Sequence, residues 1–171
     1  MDEIRAAIRD IPDFPKPGII FKDITPILQD AALFKRVNDV LIDRYRGAGI
    51  TQVLAMESRG FIFAGPLSNA IGAGFIPLRK PGKLPYKTIA ESYELEYGTA
   101  TLEMHEDALV AGDRVLILDD LLATGGTAEA SVKLARTCGA EVVEAAFVVE
   151  LTFLNGRDKL QGVPIHSLIQ Y

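Results

Sequence analysis

The sequence predicts an α/β fold: a mainly parallel sheet flanked by helices, with a small N-terminal hood and a β-hairpin lid. Three observations carry that prediction. From residue 53 onward, short apolar runs alternate with helical stretches, the pattern of successive strand–helix–strand units. The runs 115–118 and 142–149 are apolar without alternation, as strands covered on both faces are. Two of the strands lead directly into glycine-bearing turns that open helices, and open α/β sheets bind ligands beyond such strand ends.

Element by element, residues 2–10 read as a short amphipathic helix. Residues 11–28 hold four of the nine prolines and a Pro17-Gly18 turn signal, so they read as an extended flap. Asp30 is placed to cap a helix reaching about Arg46, with Leu33, Phe34, Val37, Val40, Leu41 and Tyr45 on one face. Residues 53–56 form a strand, a glycine turn follows, and a helix starts near Gly60. Residues 75–78 form another strand, although Pro77 argues against a fully paired position. Residues 88–96 and 99–104 carry β-formers around Tyr97-Gly98 and read as a hairpin. Strand 115–118, helix 127–138 ended by Gly139, strand 142–149 and a last strand at 164–169 complete the chain.

The size, 171 residues and 18.6 kDa, is that of one domain spanning 1–171. Lys plus Arg is 18 and Asp plus Glu is 23, a net charge of −5. That balance speaks against a nucleic-acid binder, so any anionic ligand must be met by a local cluster. The lone cysteine, Cys138, excludes an internal disulfide and points to a reducing compartment. The N-terminus MDEIRAAIRD lacks the apolar core of a signal peptide. The uncharged stretch 60–78 contains four glycines and two prolines and does not suit a membrane span. A cytoplasmic protein without a membrane partner is expected. His105 and His166 have no ligand spacing, so no protein metal site is expected.

The most informative stretch is 115–127, VLILDDLLATGGT. An apolar strand runs into Asp119 and Asp120, and a loop of Ala123, Thr124, Gly125, Gly126 and Thr127 opens a helix. Successive amides at a helix start make an anion nest, and glycines let a phosphate approach the backbone. Two carboxylates upstream would repel that phosphate unless they meet hydrogen-bond donors. Sugar hydroxyls are such donors, so the set reads as a ribose 5-phosphate cradle. It is neither a Walker loop nor a dinucleotide fingerprint. A second strand-to-helix turn, Glu57-Ser58-Arg59-Gly60, offers a fixed guanidinium able to grip a phosphate in bidentate fashion. Residues 79–87 hold Arg79, Lys80, Lys83 and Lys87 with no acid, a positive patch in an acidic protein.

LDDLLATGGTA resembles the phosphoribosyl-pyrophosphate signature of the type I phosphoribosyltransferases, and more narrowly its adenine-using branch. The likeness extends through DFPKPGIIFKDITPIL at 13–28, ESRGFIF at 57–63, RKPGKLP at 79–85, SYELEYG at 92–98 and LNGRDKL at 154–160. The resemblance implies the type I fold, with 11–28 as base-binding hood and 88–104 as lid. It also implies transfer of phosphoribose from phosphoribosyl pyrophosphate to adenine, giving AMP and pyrophosphate. Mg²⁺ is expected to arrive mainly with the pyrophosphate, and a homodimer is implied, with Arg79 near its contact.

Residue by residue, the resemblance assigns Glu57, Ser58, Arg59, Arg79, Lys80 and Lys83 to pyrophosphate. Phe21 is to stack on the base, main-chain groups of Ile20 and Lys22 to read its edge, and Leu121 to close the opposite side. Glu96 is to handle a purine proton, with Ser92, Tyr93 and Tyr97 in the lid. Ala123 stands where enzymes for 6-oxopurines carry an acid, which disfavours hypoxanthine and guanine. Two alternatives stay open: a non-catalytic sensor of phosphoribosyl pyrophosphate or a purine on the same fold, and a transferase for another base such as xanthine.

Overall fold

Two acids in the first turn, Asp2 and Glu3, suit the N-terminal end of helix α1 (Asp2–Ala7). The chain turns extended at Ile8, so the helix expected over 2–10 gives way early to a strand. That strand, β1 (Arg9–Pro12), pairs antiparallel with β2 (Ile20–Asp23). The flap read from the prolines is therefore partly laddered. Asp13 turns between the two strands at φ 57° and accepts the Gly18 amide at 2.8 Å. Helix α2 (Thr25–Gln29) carries proline in its first turn, where the missing N–H is harmless. Asp30 accepts the amides of Ala32 and Leu33 and opens α3 (Ala31–Tyr45), whose Val37, Leu41 and Tyr45 are buried at helical spacing.

The computed structural model describes residues 1–94 and 98–171. These residues group into two compact units, Met1–Asp43 and Arg44–Tyr171. The physical reason lies in the sheets: β1 and β2 pair with each other and join neither of the other sheets.

The second unit is built on five parallel strands in the order β4-β3-β7-β8-β9. These are β3 (Gln52–Met56), β4 (Gly74–Leu78), β7 (Arg114–Leu122), β8 (Glu141–Glu150) and β9 (Ile165–Gln170). Helix α4 (Arg59–Ile71) packs on β3, β4 and β7. Helix α5 (Gly126–Thr137) packs on β7, β8 and the hairpin of β5 (Thr88–Glu94) and β6 (Thr99–His105). Pro77 is accommodated because β4 is an edge strand. Val115, Leu116, Ile117 and Leu118 of the central strand are fully buried, as their unbroken apolar run requires. Cys138 is half-buried, and burial raises its thiol. Among the described residues no helix is long and apolar enough to cross a membrane.

One boundary differs in a way that matters. The central strand does not stop at Leu118 but continues through both acids to Leu122. The neighbour β8 runs on beside it, pairing Asp119 with Phe147, Leu121 with Val149 and Leu122 with Glu150. Ladder pairing thus holds two poor β-formers extended.

A polar cluster ties the start of the second unit to the sheet. Arg44 donates to both Glu144 oxygens at 2.8 and 2.7 Å, and the Tyr45 hydroxyl donates to one of them at 2.5 Å. Burial raises the Glu144 carboxyl, but these bonds more than offset it and hold it below the ordinary carboxylate value. Such a group stabilises the fold above its unfolded value of about 4.3, and the contribution is lost as pH falls through the folded value. Glu144→Gln is therefore expected to lower stability at neutral pH by on the order of 2 kcal/mol. Thermal melts from about pH 7 to about pH 3 should show parent and variant converging at the acid end. A constant gap across that range would deny the linkage.

Candidate active site

The loop after β7 encloses a small cavity of about 70 Å³, lined by Asp119 and by every residue from 121 to 128. Gly125 caps α5 in the left-handed region at φ 81°, a conformation that favours glycine. The Glu129 amide is the first to reach back, to the Gly125 carbonyl at 2.9 Å. The amides before it have no carbonyl of their own helix to meet and supply the donors of an anion nest. Ala123, Thr124, Gly125, Gly126 and Thr127 are thus brought together around one space, with Leu121 on the same wall.

An adjoining cleft of about 430 Å³ is lined by Glu57, Ser58, Arg59, Lys80, Asp119 and Asp120. Asp119 lines both spaces. Its carboxylate lies close under the start of α4: a Cβ added to Gly60 would stand 2.9 Å from Asp119 Oδ1. Glycine at 60 therefore lets this helix end approach the acid. Burial, then the neighbouring Asp120 charge, pushes the Asp119 carboxyl well above the usual range. Asp120, 5% exposed, is held by the Arg59 guanidinium through Nε and Oδ2. A carboxylate so buried requires that cation.

The cations of the basic loop divide. Arg79 Nε donates to Glu57 at 2.7 Å, and its Nη1 donates to the Lys83 carbonyl at 3.2 Å. The Lys80 amide donates to the other Glu57 oxygen at 3.0 Å. Glu57 thereby pins the loop, and its carboxyl is held low against the opposing pull of burial. Lys80 lines the cleft, whereas Lys83 is exposed and does not. Of the residues assigned to pyrophosphate, the structure gathers Ser58, Arg59 and Lys80, turns Arg79 onto Glu57, and makes Glu57 a support. The physical reason is charge: a carboxylate beside a site for polyanions needs a fixed cation of its own. The Glu57–Ser58 peptide is cis, which no residue type there signals, since such bonds otherwise belong to proline.

The hairpin also departs from expectation. Tyr93 packs on the core, and a Cβ on Gly126 would stand 2.9 Å from its ring. Ser92 meets Thr101 across the ladder at 3.0 Å. Both face a separate groove beside Glu129 and Lys133, so this end of the expected lid is packed against α5. Packing of the aromatic ring wins over hairpin exposure. Glu96 and Tyr97 lie outside the described residues. In the first unit, Phe21 meets Phe14 edge-on at 5.2 Å, Lys22 pairs with Asp10 at 2.6 Å, and Ile20 is exposed on β2. Among the described residues no cluster of three His, Cys, Asp or Glu could hold a metal ion.

A family model described as phosphoribosyl transferase domain matches residues 23–162. The chain belongs to the phosphoribosyltransferase family. It is similar to the adenine phosphoribosyltransferase of Methylococcus capsulatus, with 56% identity over 171 residues and 100% of each chain covered. Among solved structures it is similar to adenine phosphoribosyltransferase from Thermoanaerobacter pseudethanolicus, at 53% identity and TM-score 0.96, covering 99% of each chain. The Saccharomyces cerevisiae adenine phosphoribosyltransferase, solved with an imino-altritol bisphosphate and adenine, is 39% identical at TM-score 0.93; the match covers 98% of this chain and 97% of that one. The type I phosphoribosyltransferase fold expected from the sequence is the fold observed.

Sequence reasoning assigns no role to two residues that support the loop after β7. Gly156 packs its backbone directly against the loop, and the neighbouring Arg157 is bound to buried Glu150. The motif LNGRDKL contains the signal, since a glycine beside a cation in a turn marks close backbone approach, but the loop it meets, Ala123 to Gly125, lies 31 to 33 positions earlier in the sequence.

Proposed function

We propose that the protein transfers the phosphoribosyl group of 5-phosphoribosyl 1-pyrophosphate to adenine, releasing AMP and pyrophosphate in purine salvage. Full-length identity above 50% to proteins named adenine phosphoribosyltransferase supports this reading. The single structural observation that carries it is Asp119, shared by an amide-lined cavity and a cation-lined cleft. A sugar bearing phosphate at one end and pyrophosphate at the other needs that juxtaposition.

In this reading the nest at 123–127 takes the 5-phosphate, and Asp119 and Asp120 accept hydrogen bonds from the ribose hydroxyls. Adenine N9 attacks C1 as the bond to pyrophosphate breaks. Positive charge develops on the ribose beside the two acids, and negative charge develops on the leaving group beside Arg59 and Lys80. Preorganised charges of this kind supply the largest catalytic contribution in many enzymes. Mg²⁺ enters as part of the pyrophosphate substrate, because Glu57 is engaged with Arg79 and Asp120 with Arg59. Phe21 stacks on the base, and main-chain groups of Ile20 and Lys22 read its edge. Glu96 exchanges the purine proton, with Tyr97 in the covering segment. A cytoplasmic homodimer is the proposed working form.

A coupled assay with adenine, hypoxanthine, guanine and xanthine tests the proposal. Turnover with adenine alone is expected. Preference for an oxopurine would replace the substrate assignment, and turnover with none would favour a sensor on the same fold.

A further inference from the structure

Residues 152–160 form two short 3-10 turns after β8, Thr152–Leu154 and Gly156–Lys159. They line neither of the spaces assigned to substrate. We infer that Gly156, clamped through Arg157 to Glu150, is a positioning element that holds the backbone of the 5-phosphate nest from behind. This rests on the reading that residues 123–127 take the 5-phosphate.

The contact is backbone on backbone. A Cβ on Gly156 would stand 2.2 Å from the Ala123 carbonyl oxygen and 3.1 Å from the Gly125 nitrogen. Reciprocally, a Cβ on Gly125 would stand 2.3 Å from the Gly156 carbonyl oxygen. Gly125 adopts positive φ, so its own conformation favours glycine. Gly156 does not, so glycine there answers a demand for space. The space it leaves is filled by the loop whose amides build the nest.

The turn is anchored by a carboxylate remote from the chemistry. Glu150, the last residue of β8, is 2% exposed. Arg157 donates to it through Nε, and through Nη2 at 2.6 Å, and Gln170 adds a bond at 3.2 Å. The same strand end fixes the start of the nest: Leu122 pairs with Glu150 in register, and the Leu151 amide donates to the Leu122 carbonyl at 2.9 Å. One strand terminus therefore sets both the loop and the wall behind it. A bidentate ion pair is suited to this because its planar geometry fixes orientation as well as distance.

Calorimetric titration of the full chain with ribose 5-phosphate and, separately, with magnesium pyrophosphate tests the inference. The parent is expected to bind both. Gly156→Ala should weaken ribose 5-phosphate by about tenfold or more, because a loop displaced by a fraction of an ångström no longer converges its donors. Its pyrophosphate affinity should stay within about twofold, because none of the residues that Gly156 touches lines that cleft. Arg157→Ala should move in the same direction, and Arg157→Lys should recover part of the loss. A folded Gly156→Ala protein with parental ribose 5-phosphate affinity, or with equal loss of both anions, would overturn the inference. If Gly156→Ala does not fold, Arg157→Ala decides, and parental ribose 5-phosphate affinity there overturns it. Failure of the underlying reading is seen separately, as a parent that binds pyrophosphate and no ribose 5-phosphate.

Discussion

Asp119→Asn combined with Asp120→Asn is expected to lower kcat/KM for phosphoribosyl pyrophosphate by roughly a thousandfold, the scale of lost preorganised contacts to a developing charge. Each substitution keeps the shape of the side chain and turns one carboxyl oxygen into a group that only donates. Ribose hydroxyls then face donors, and the oxocarbenium-like sugar loses the neighbouring Asp120 carboxylate. The two positions are not equivalent. Asp119 borders both the nest and the cleft, so its loss should appear in kcat and KM together. Asp120 also neutralises Arg59. Its replacement removes the negative charge that offsets this guanidinium, and weakened sugar binding should be accompanied by tighter pyrophosphate binding. Steady-state kinetics and pyrophosphate titration on the single and double variants measure both effects. Parental kinetics in a folded double variant would remove the ribose cradle.

Arg59→Ala is the second large effect. Turnover is expected to fall on the order of a hundredfold, because the leaving pyrophosphate loses a charge-assisted donor in the cleft. Stability should fall as well, by about 2 kcal/mol, since the buried Asp120 carboxylate loses its charged hydrogen-bond donor. Adding Asp120→Asn to Arg59→Ala should restore part of the melting temperature and none of the turnover. That divergence separates the two duties of the arginine. Recovery of both together would mean that Arg59 acts only by holding Asp120, and its role toward pyrophosphate would fall.

These two cases also mark where sequence reading stops. The strand-to-helix turns at 57–60 and 119–127 were visible because their chemistry is local: apolar run, charged residues, glycine, helix. The pairing of Arg59 with Asp120 spans 61 positions, and nothing in either segment names the other. Similarly, the pairing of Arg79 with Glu57 spans 22 positions and neither segment signals it. Tyr93, assigned to the lid by resemblance, lies against Gly126 and the core.

By itself the sequence determined the order of strands and helices from residue 53, the two turns that bear the chemistry and the family signature across most of the chain. It could do so because helical and strand periodicity, capping and glycine turns are short-range properties. Only the tertiary structure decided the run of β7 through both acids, the grouping into two units, the partners of Arg59, Glu57 and Arg79, and the seat of Gly156 behind the phosphate loop. Those depend on which distant segments the sheet brings within a few ångströms, and on buried charges finding partners wherever the fold presents them.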